Sequence, residues 1–530
     1  MEARKLANNE NKNVNYNRST SQRVKETLTD EIVIGICSQI GAKKDLVISS
    51  IEKYLKEFNY IVKIIKLSDF ITNQQTSSAP QVGKTERFTN LISKIDTGNE
   101  LRENFGEDYL ANLAITQIAH EKKKHYLVED EKDFSKIKSR RICYIIDSIK
   151  HTEELNTFKD VYRDIFYLMS IYTPIEERIN NLSIPSLSRE EAETLIHKDQ
   201  YEENPYGQQV REVFVNADFF LRVDQNTEKD IHKKTRRYIN LLFGYGLESP
   251  TTHERAMYEA KSASVNSACL SRQVGAAITC SEGNLLSTGW NDVPKYGGNL
   301  YTSESPNDNR CFVTGQCHND FNKSSLVNYI IEDFKNTIDL EKILQGTSEI
   351  DSSKYFGIIQ NLSNFIKERL DKSGIRNLIE FSRSVHAEMH AIINAGNLDG
   401  NKIKGGVLYC TTYPCHNCAR HIIAAGIKKV IYIEPYIKSK APELHDDSIT
   451  ENEKVNNKVQ LLVFDGVAPR RYLTFFNQNR NRKRLGKSLV NNFDKTKLNP
   501  INNISLQALI FLETQAAQRI IDRQTNEPQY

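Results

Sequence analysis

The chain has 530 residues, of which 39% are hydrophobic and 26% charged, and its formal net charge is +3. This length exceeds what one ordinary hydrophobic core can organise, so we expect at least two domains. The nearly balanced charge gives no argument for a nucleic-acid polymer as partner, and the apolar runs are too short to span a bilayer. We therefore expect neither a membrane nor a nucleic-acid polymer among the partners.

The amino-terminal residues and the cysteine content suggest a cellular compartment. Residues 1–30 are polar and lack the apolar stretch of a secretion signal, which predicts a disordered leader on a cytoplasmic protein. Cytoplasmic thiols stay reduced, so the nine cysteines make a poor disulfide framework. The informative cysteines are those that are spaced like metal ligands.

Apolar runs alternate with helical patterns from residue 31 to about 245. The run EIVIGIC (31–37) predicts a buried strand, and a Gly-containing turn and a helix follow it. The runs YIVKIIKLS (60–68) and RICYIIDSI (141–149) predict two further strands, the second of which ends in an acidic residue. Strands that alternate with helices favour an α/β domain with a parallel sheet and helices on both faces.

The turn after the first predicted strand has the position of a phosphate-binding loop. Five residues separate Gly35 from Gly41, Ala42 precedes Lys43, and no Ser or Thr follows the lysines, so the match is degenerate. Backbone amides at the helix start and Lys43 could still hold phosphates, whereas the missing hydroxyl removes the usual magnesium ligand. Asp147 stands where an acidic, metal-positioning residue would stand. We interpret these residues as nucleotide-binding candidates, with an active kinase, a nucleotide-binding regulatory domain and a structural remnant all left open.

A second α/β domain is predicted over residues 246–478. It begins with a helix and a hairpin (274–290), and an insertion of about 300–380 interrupts it. Two helix–strand pairs follow, so we expect a three-layer α/β/α arrangement. Residues 479–530 form a tail with a basic run and a helical stretch of unassigned role.

Two short motifs in this second domain have the spacing of a catalytic metal site. His386 and Glu388 begin one predicted helix, and Pro414 opens another whose first turn carries Cys415 and Cys418. Helix N-termini favour thiolates, and three residues of separation place the two cysteines on one face. Three protein ligands leave a fourth zinc position open, as in catalytic zinc sites, and Glu388 is then free to carry protons. The alternatives are a closed four-ligand zinc site and Cys and His residues packed in a core.

These motifs resemble the deoxycytidylate deaminase branch of the zinc-dependent cytidine deaminase superfamily. The resemblance covers SRQVGAAITCSEGNLLSTGWNDVP, HAEMHAI and LYCTTYPCHNCARHIIAAGIKKVIYI. It implies that Asn291 contacts the nucleoside and that Tyr413 packs against the base. His390 departs from the Asn that is common there, and Lys438 is a candidate for binding substrate phosphate.

The insertion holds a candidate for a second, structural zinc site. Cys311, Cys317 and His318 could bind such an ion with one further ligand, as in some relatives of this branch. The alternative is that these are ordinary reduced cysteines in a loop.

Residues 31–240 resemble the P-loop nucleotide kinases, and the fusion resembles the bacterial anti-phage dCTP deaminases. The resemblance implies deamination of free dCTP to dUTP plus ammonia, a homo-oligomer, and an enzyme held inactive until a phage-derived trigger arrives. A dCMP deaminase of nucleotide metabolism is the nearest alternative. A deaminase of nucleic-acid polymers, suggested by the basic run at 479–487, and a non-enzymatic nucleotide sensor with structural zinc are the other two.

Overall fold

The computed structural model describes residues 19–74, 83–125, 139–184, 186–200, 206–223, 228–337, 352–435, 439–477, 482–488 and 493–525. The chain divides into two compact units, of which the first comprises Met1–Pro250 with Asp465–Tyr530 and the second comprises Thr251–Phe464. The first unit is therefore discontinuous, and the second is inserted into it. The sequence pattern instead predicts boundaries at 245 and 478.

The first unit contains five parallel strands with intervening helices. Its helices are α1 Thr20–Glu26, α2 Lys44–Lys56, α3 Leu67–Thr72, α4 Glu86–Phe105, α5 Tyr109–His125, α6 Thr152–Tyr162, α7 Ile175–Ser183, α8 Arg189–Gln200, α9 Val210–Phe214 and α10 Glu228–Phe243. Its strands are β1 Ile32–Ser38, β2 Ile61–Lys66, β3 Ile142–Asp147, β4 Phe166–Tyr172 and β5 Phe219–Arg222. They pair in the order β2-β3-β1-β4-β5, and all of these pairings are parallel.

The central position of β1 follows from its sequence. All seven of its residues are buried, which suits a strand covered on both faces, and the chain reaches β1's two neighbours by crossovers on opposite sides. The carboxyl end of such a strand is a topological switch point, where open α/β sheets leave a crevice. The parallel α/β sheet expected for this region is thereby confirmed.

The carboxyl-terminal piece completes the first unit. Its elements are β12 Gly466–Val467, α18 Tyr472–Phe476, the β13 Lys483–Arg484 and β14 Lys487–Ser488 hairpin, and α19 Leu506–Thr525. Strand β12 pairs antiparallel with β5, and Val467 and Phe475 join the core that packs on the sheet. Because this pairing begins at Gly466, the boundary moves from the expected 478 to Phe464.

The leader is ordered in the part that the structure describes. Helix α1 has a capping box at Ser19, and the Thr29 amide donates to the Ile504 carbonyl at 2.9 Å. The disordered leader expected for 1–30 is therefore wrong for residues 19–30, and residues 1–18 lie outside the described part. None of the described helices is both long and apolar enough to cross a membrane.

The second unit has its own six-stranded sheet. Its helices are α11 Thr252–Ser264, α12 Cys311–Thr314, α13 His318–Thr337, α14 Ser352–Asp371, α15 Ala387–Asp399, α16 His416–Ala424 and α17 Ala441–Leu444, and its strands are β6 Gly275–Thr279, β7 Leu285–Trp290, β8 Val407–Thr412, β9 Lys429–Glu434, β10 Ile449–Thr450 and β11 Val459–Val463. The order is β10-β11-β9-β8-β6-β7, with β6 antiparallel to both neighbours and the other pairings parallel.

A close approach between β7 and α15 positions the helix that carries His386 and Glu388. A Cβ atom on Gly289 would lie 2.4 Å from the Ala391 nitrogen and 2.5 Å from the Ala387 oxygen, so only glycine permits this packing. Gly289 therefore allows α15 to pack directly against β7.

Candidate metal centre

The three predicted ligands lie at the starts of two helices. His386 is the N-cap of α15, and Cys415 is the N-cap of α16 with its sulfur accepting from the Cys418 amide at 3.4 Å. Cys415 follows shortly after β8 ends at Thr412, so the carboxyl end of that strand delivers it to the site. The structure thus brings together residues that the spacing predicts to be neighbours.

The ligand atoms converge on one point. His386 Nδ1 lies 3.3 Å from each of the sulfurs of Cys415 and Cys418, and all three ligand atoms lie within 4.8 Å of one another. In the described part of the chain this is the one group of three or more such side chains that close together. Tetrahedral zinc with bonds of about 2.0–2.3 Å separates its ligand atoms by about 3.5 Å, so two thiolates and an imidazole at this spacing fit Zn²⁺ and leave a fourth position.

The electrostatics of the three side chains favour a thiolate. The hydrogen bond with Cys418, opposed by burial and supported by His386, lowers the pKa of Cys415 to about 4. Burial is the largest single influence on His386 and lowers its pKa, but the hydrogen bond to Cys415 and the nearby negative charges of Cys415 and Glu388 together outweigh burial and raise that pKa to about 9. The hydrogen bond with Cys415, together with burial, raises the pKa of Cys418. The negative charge therefore lies on Cys415, whose thiolate is the form that binds a cation.

Glu388 lies in the first turn of α15, two residues after the ligand His386. The side chain is only 4% exposed, and burial, together with the nearby Cys415 charge, raises the pKa of its carboxyl group. A buried carboxyl group with a raised pKa is suited to accept and return protons near neutral pH.

The two residues expected to contact substrate are firmly held. Asn291 accepts from the Val274 amide at 2.7 Å and donates to the Arg272 carbonyl at 2.9 Å, so its amide organises the turn before β6. The Tyr413 hydroxyl donates to Glu451 Oε1 at 3.1 Å. Contact with substrate remains a prediction for both.

His390, the departure from the family pattern, links two segments. Its Nδ1 accepts from the Trp290 amide at 3.2 Å, and its Nε2 lies 3.1 Å from Asn299 Oδ1. Because a backbone amide can only donate, Nδ1 is the acceptor and Nε2 carries the proton. Burial lowers the pKa of His390, which keeps the ring neutral.

The structure does not gather the residues of the expected second zinc site. Cys317 lies 3.9 Å from the Ser271 hydroxyl, and His318 Nε2 lies 3.4 Å from an Arg383 nitrogen. Among the described residues, Cys311, Cys317 and His318 do not form a cluster of side chains close enough together to hold a metal ion. Lys438, expected to bind phosphate, lies outside the described residues.

The loop after β1 is the second place where predicted site residues occur. Gly35 lies inside β1, where a Cβ would meet Ile149 at 2.6 Å, so it belongs to the strand packing and not to the loop. Gly41 has φ +81 and lies in the loop, and Lys43 is the N-cap of α2. The lysine that reaches Asp147 is the next residue along the chain, Lys44, at 2.7 and 2.8 Å.

A carboxylate from α8 also reaches this loop, and no sequence motif predicts this contact. Asp199 is fully buried, accepts from the Ile40 amide at 2.8 Å, and pairs with Lys150 at 2.5 Å. A backbone amide and a lysine are groups that commonly hold a phosphate. Here a side-chain anion of the chain itself occupies them.

The matches to known proteins include a family model that falls in the second unit. The family described as "Cytidine and deoxycytidylate deaminase zinc-binding region" matches residues 250–434. Deoxycytidylate deaminase of Enterobacteria phage T2 is 31% identical over 177 residues, which are 33% of this chain and 77% of that protein. Deoxycytidylate deaminase of Homo sapiens is 46% identical over 48 residues, 9% of this chain and 25% of that protein. The dCMP deaminase structure from cyanophage S-TIM5 aligns at 18% identity over 41% of this chain and 100% of its own, with a TM-score of 0.21 that is too low to support an inference.

Proposed function

This chain belongs to the deoxycytidylate deaminase family, and we propose that its second unit deaminates a free cytosine deoxynucleotide hydrolytically, with dCTP as the substrate. The observation that carries the proposal is the convergence of His386, Cys415 and Cys418 beside the buried Glu388. Three ligands with a carboxyl group outside the ligand set are the arrangement that hydrolytic deamination of cytosine requires.

The residues have separable tasks in this reaction. Zinc, when bound by His386, Cys415 and Cys418, supplies the Lewis acidity that makes water nucleophilic near neutral pH. Glu388 takes a proton from the attacking water, delivers it to N3 of the cytosine ring, and later passes a proton to the departing amine. A C–O bond forms at C4 and the C–N bond breaks, so the products are the uracil nucleotide and ammonia.

The choice of dCTP depends on the first unit. Its resemblance to P-loop nucleotide kinases and the placement of Lys44 and Asp147 at the switch point of its sheet support a nucleotide-binding regulatory domain. We propose that this unit holds the deaminase inactive in a homo-oligomer until a phage-derived trigger arrives, so that dCTP is depleted only during infection. The names of the relatives support dCMP as the alternative substrate.

Product analysis separates these substrates. Zinc-loaded protein is incubated with dCTP, dCMP or CTP, with and without extract from phage-infected cells, and uracil nucleotides are measured by mass spectrometry. We expect dUTP from dCTP, with a higher rate in the presence of the extract. Formation of dUMP alone would identify dCMP, and not dCTP, as the substrate. The absence of every uracil nucleotide under all conditions would contradict both substrate assignments.

A further inference from the structure

Arg272 connects the two residues that are expected to contact the substrate. Its carbonyl accepts from the Asn291 amide at 2.9 Å, and its guanidinium lies 3.1 Å from Glu434 Oε1. Glu434 ends β9, and its carbonyl accepts from the Tyr413 amide at 2.7 Å. The Arg272 side chain therefore extends from the turn that Asn291 organises toward the segment that carries Tyr413 and Cys415.

The guanidinium of Arg272 is available to a stronger anion. The side chains of Arg272 and Glu434 are 47% and 37% exposed, and one nitrogen–oxygen contact joins them. Exposed ion pairs of this kind contribute little to stability, because solvent screens both charges. A phosphate group instead offers a guanidinium two parallel charge-assisted hydrogen bonds, so it competes well against a single carboxylate oxygen.

Glu434 has other partners when Arg272 leaves it. Its second carboxylate oxygen lies 3.5 Å from the Thr412 hydroxyl, and its exposure allows water to solvate the charge. Moving Arg272 therefore strands no buried charge, and the exchange of Glu434 for phosphate costs little.

We propose that Arg272 binds the phosphate group of the substrate and that Glu434 competes for it, so that this pair sets the preference for nucleotides over nucleosides. The proposal rests on the proposed function, since it assumes a cytosine nucleotide in the second unit. It gives the site a cation for a substrate whose phosphate carries negative charge at neutral pH.

The test measures how strongly each variant prefers a phosphate ester. For the zinc-loaded full chain and its variants, kcat/KM is determined for dCTP, dCMP and deoxycytidine, and the binding of dUMP and deoxyuridine is measured by calorimetry. Arg272→Ala should lower the nucleotide-to-nucleoside ratio by about tenfold or more, through KM rather than kcat. Arg272→Lys should retain part of the ratio because it keeps the charge, and Glu434→Gln should raise it.

Arg376→Ala is the matched control. Arg376 is also an exposed arginine with one carboxylate contact, to Asp371 at 3.6 Å, but it lies in the insertion. It should leave the ratio as it is in the unaltered protein. Equal ratios in Arg272→Ala and Arg376→Ala, or a lower ratio in Glu434→Gln, would overturn the proposal. A protein that deaminates none of the three compounds contradicts the proposed function, and the dUMP-to-deoxyuridine binding ratio still decides the role of Arg272.

Discussion

The two units place ionisable side chains at the carboxyl ends of central strands, but they use them differently. In the second unit, the ligand atoms of a histidine and two cysteines lie within 4.8 Å of one another. In the first unit, Lys44 pairs with Asp147 and Lys150 with Asp199, so each charge already has a partner of opposite sign.

This difference shows which site gains from a ligand. Two sulfur atoms and a ring nitrogen about 3.3 Å from each of them can all bind one metal cation placed among them, and this binding is strongly favourable. In the loop after β1, the Ile40 amide and Lys150 already bind the buried Asp199. A phosphate can bind to these groups favourably only after it displaces that aspartate. The second unit is therefore prepared for its ion, whereas the first requires a change of partners.

Loss of a metal ligand should have the largest effect. Cys415→Ser and Cys418→Ser remove a thiolate from a three-ligand set, so we expect zinc to be lost and turnover to fall by about a thousandfold or more. Metal content by mass spectrometry and product formation by chromatography measure this. Cys280→Ser is the matched control, a buried cysteine outside the ligand set. Full zinc content in both ligand variants would refute the assigned ligands.

Replacement of Glu388 should separate chemistry from metal binding. Glu388→Gln keeps the volume of the side chain but cannot carry a proton, so turnover should fall by about 10²–10⁴-fold while zinc stays bound. Glu443→Gln, at a short helix of the same unit, serves as control and should retain activity. Full deaminase activity of the Glu388→Gln protein would contradict the proton-carrying role of Glu388.

The first unit should respond to charge removal by losing stability. Lys122 is buried between Glu31 and Glu513, 2.6 Å from the latter. Lys122→Met therefore removes the cation that these two buried carboxylates share, and leaves Glu31 with the more distant Arg140, at 4.0 Å. We expect the unfolding free energy of this unit to fall by about 3–5 kcal/mol. The single tryptophan, Trp290, lies in the second unit, so its fluorescence follows that unit while circular dichroism follows both.

A partly exposed pair provides the comparison for Lys122. Lys63 pairs with Glu121 at intermediate exposure, and Lys63→Met should cost no more than about 1 kcal/mol. Similar losses in both variants, or a shift in the tryptophan transition with Lys122→Met, would contradict the expectation.

The part of the metal centre that the sequence predicts is the part that is local. Cys415 and Cys418 lie within one helical turn, and His386 and Glu388 lie within another, so spacing alone relates each pair. The Arg272–Glu434 pair joins residues 162 positions apart, and the Ile40–Asp199 hydrogen bond joins residues 159 apart. No periodicity or motif links such residues, since only the folded sheets bring them together.

The same limit explains the errors in domain organisation. Alternating strands and helices correctly predict parallel α/β sheets, because that pattern is local. The return of Gly466–Val467 to the edge of the first sheet is a pairing with β5, and two residues are too few to show a strand pattern. The sequence does not predict helix α1 for a related reason. Its residues are mostly polar, and the segment after it is held by backbone hydrogen bonds near Ile504.

The smallest expected effect is on ATP binding by the loop after β1. It would make the first unit more like the second, with groups that can bind a ligand without a change of partners. Asp199→Asn keeps an acceptor for the Ile40 amide but removes the negative charge that pairs with Lys150. An incoming phosphate then meets a lysine whose remaining partner, Gln208, is neutral. We expect the full chain to bind ATP about tenfold more tightly, measured with a fluorescent analogue in the Glu388→Gln background. Asp96→Asn is the control and should not change ATP affinity. Asp96 is a partly exposed carboxylate of α4, and its partner Lys198 lies in α8, the helix that also carries Asp199. Equal affinities in the two variants would mean that Asp199 ties α8 to the loop without guarding a phosphate position, and ATP binding by neither variant would contradict a nucleotide-binding role for the first unit.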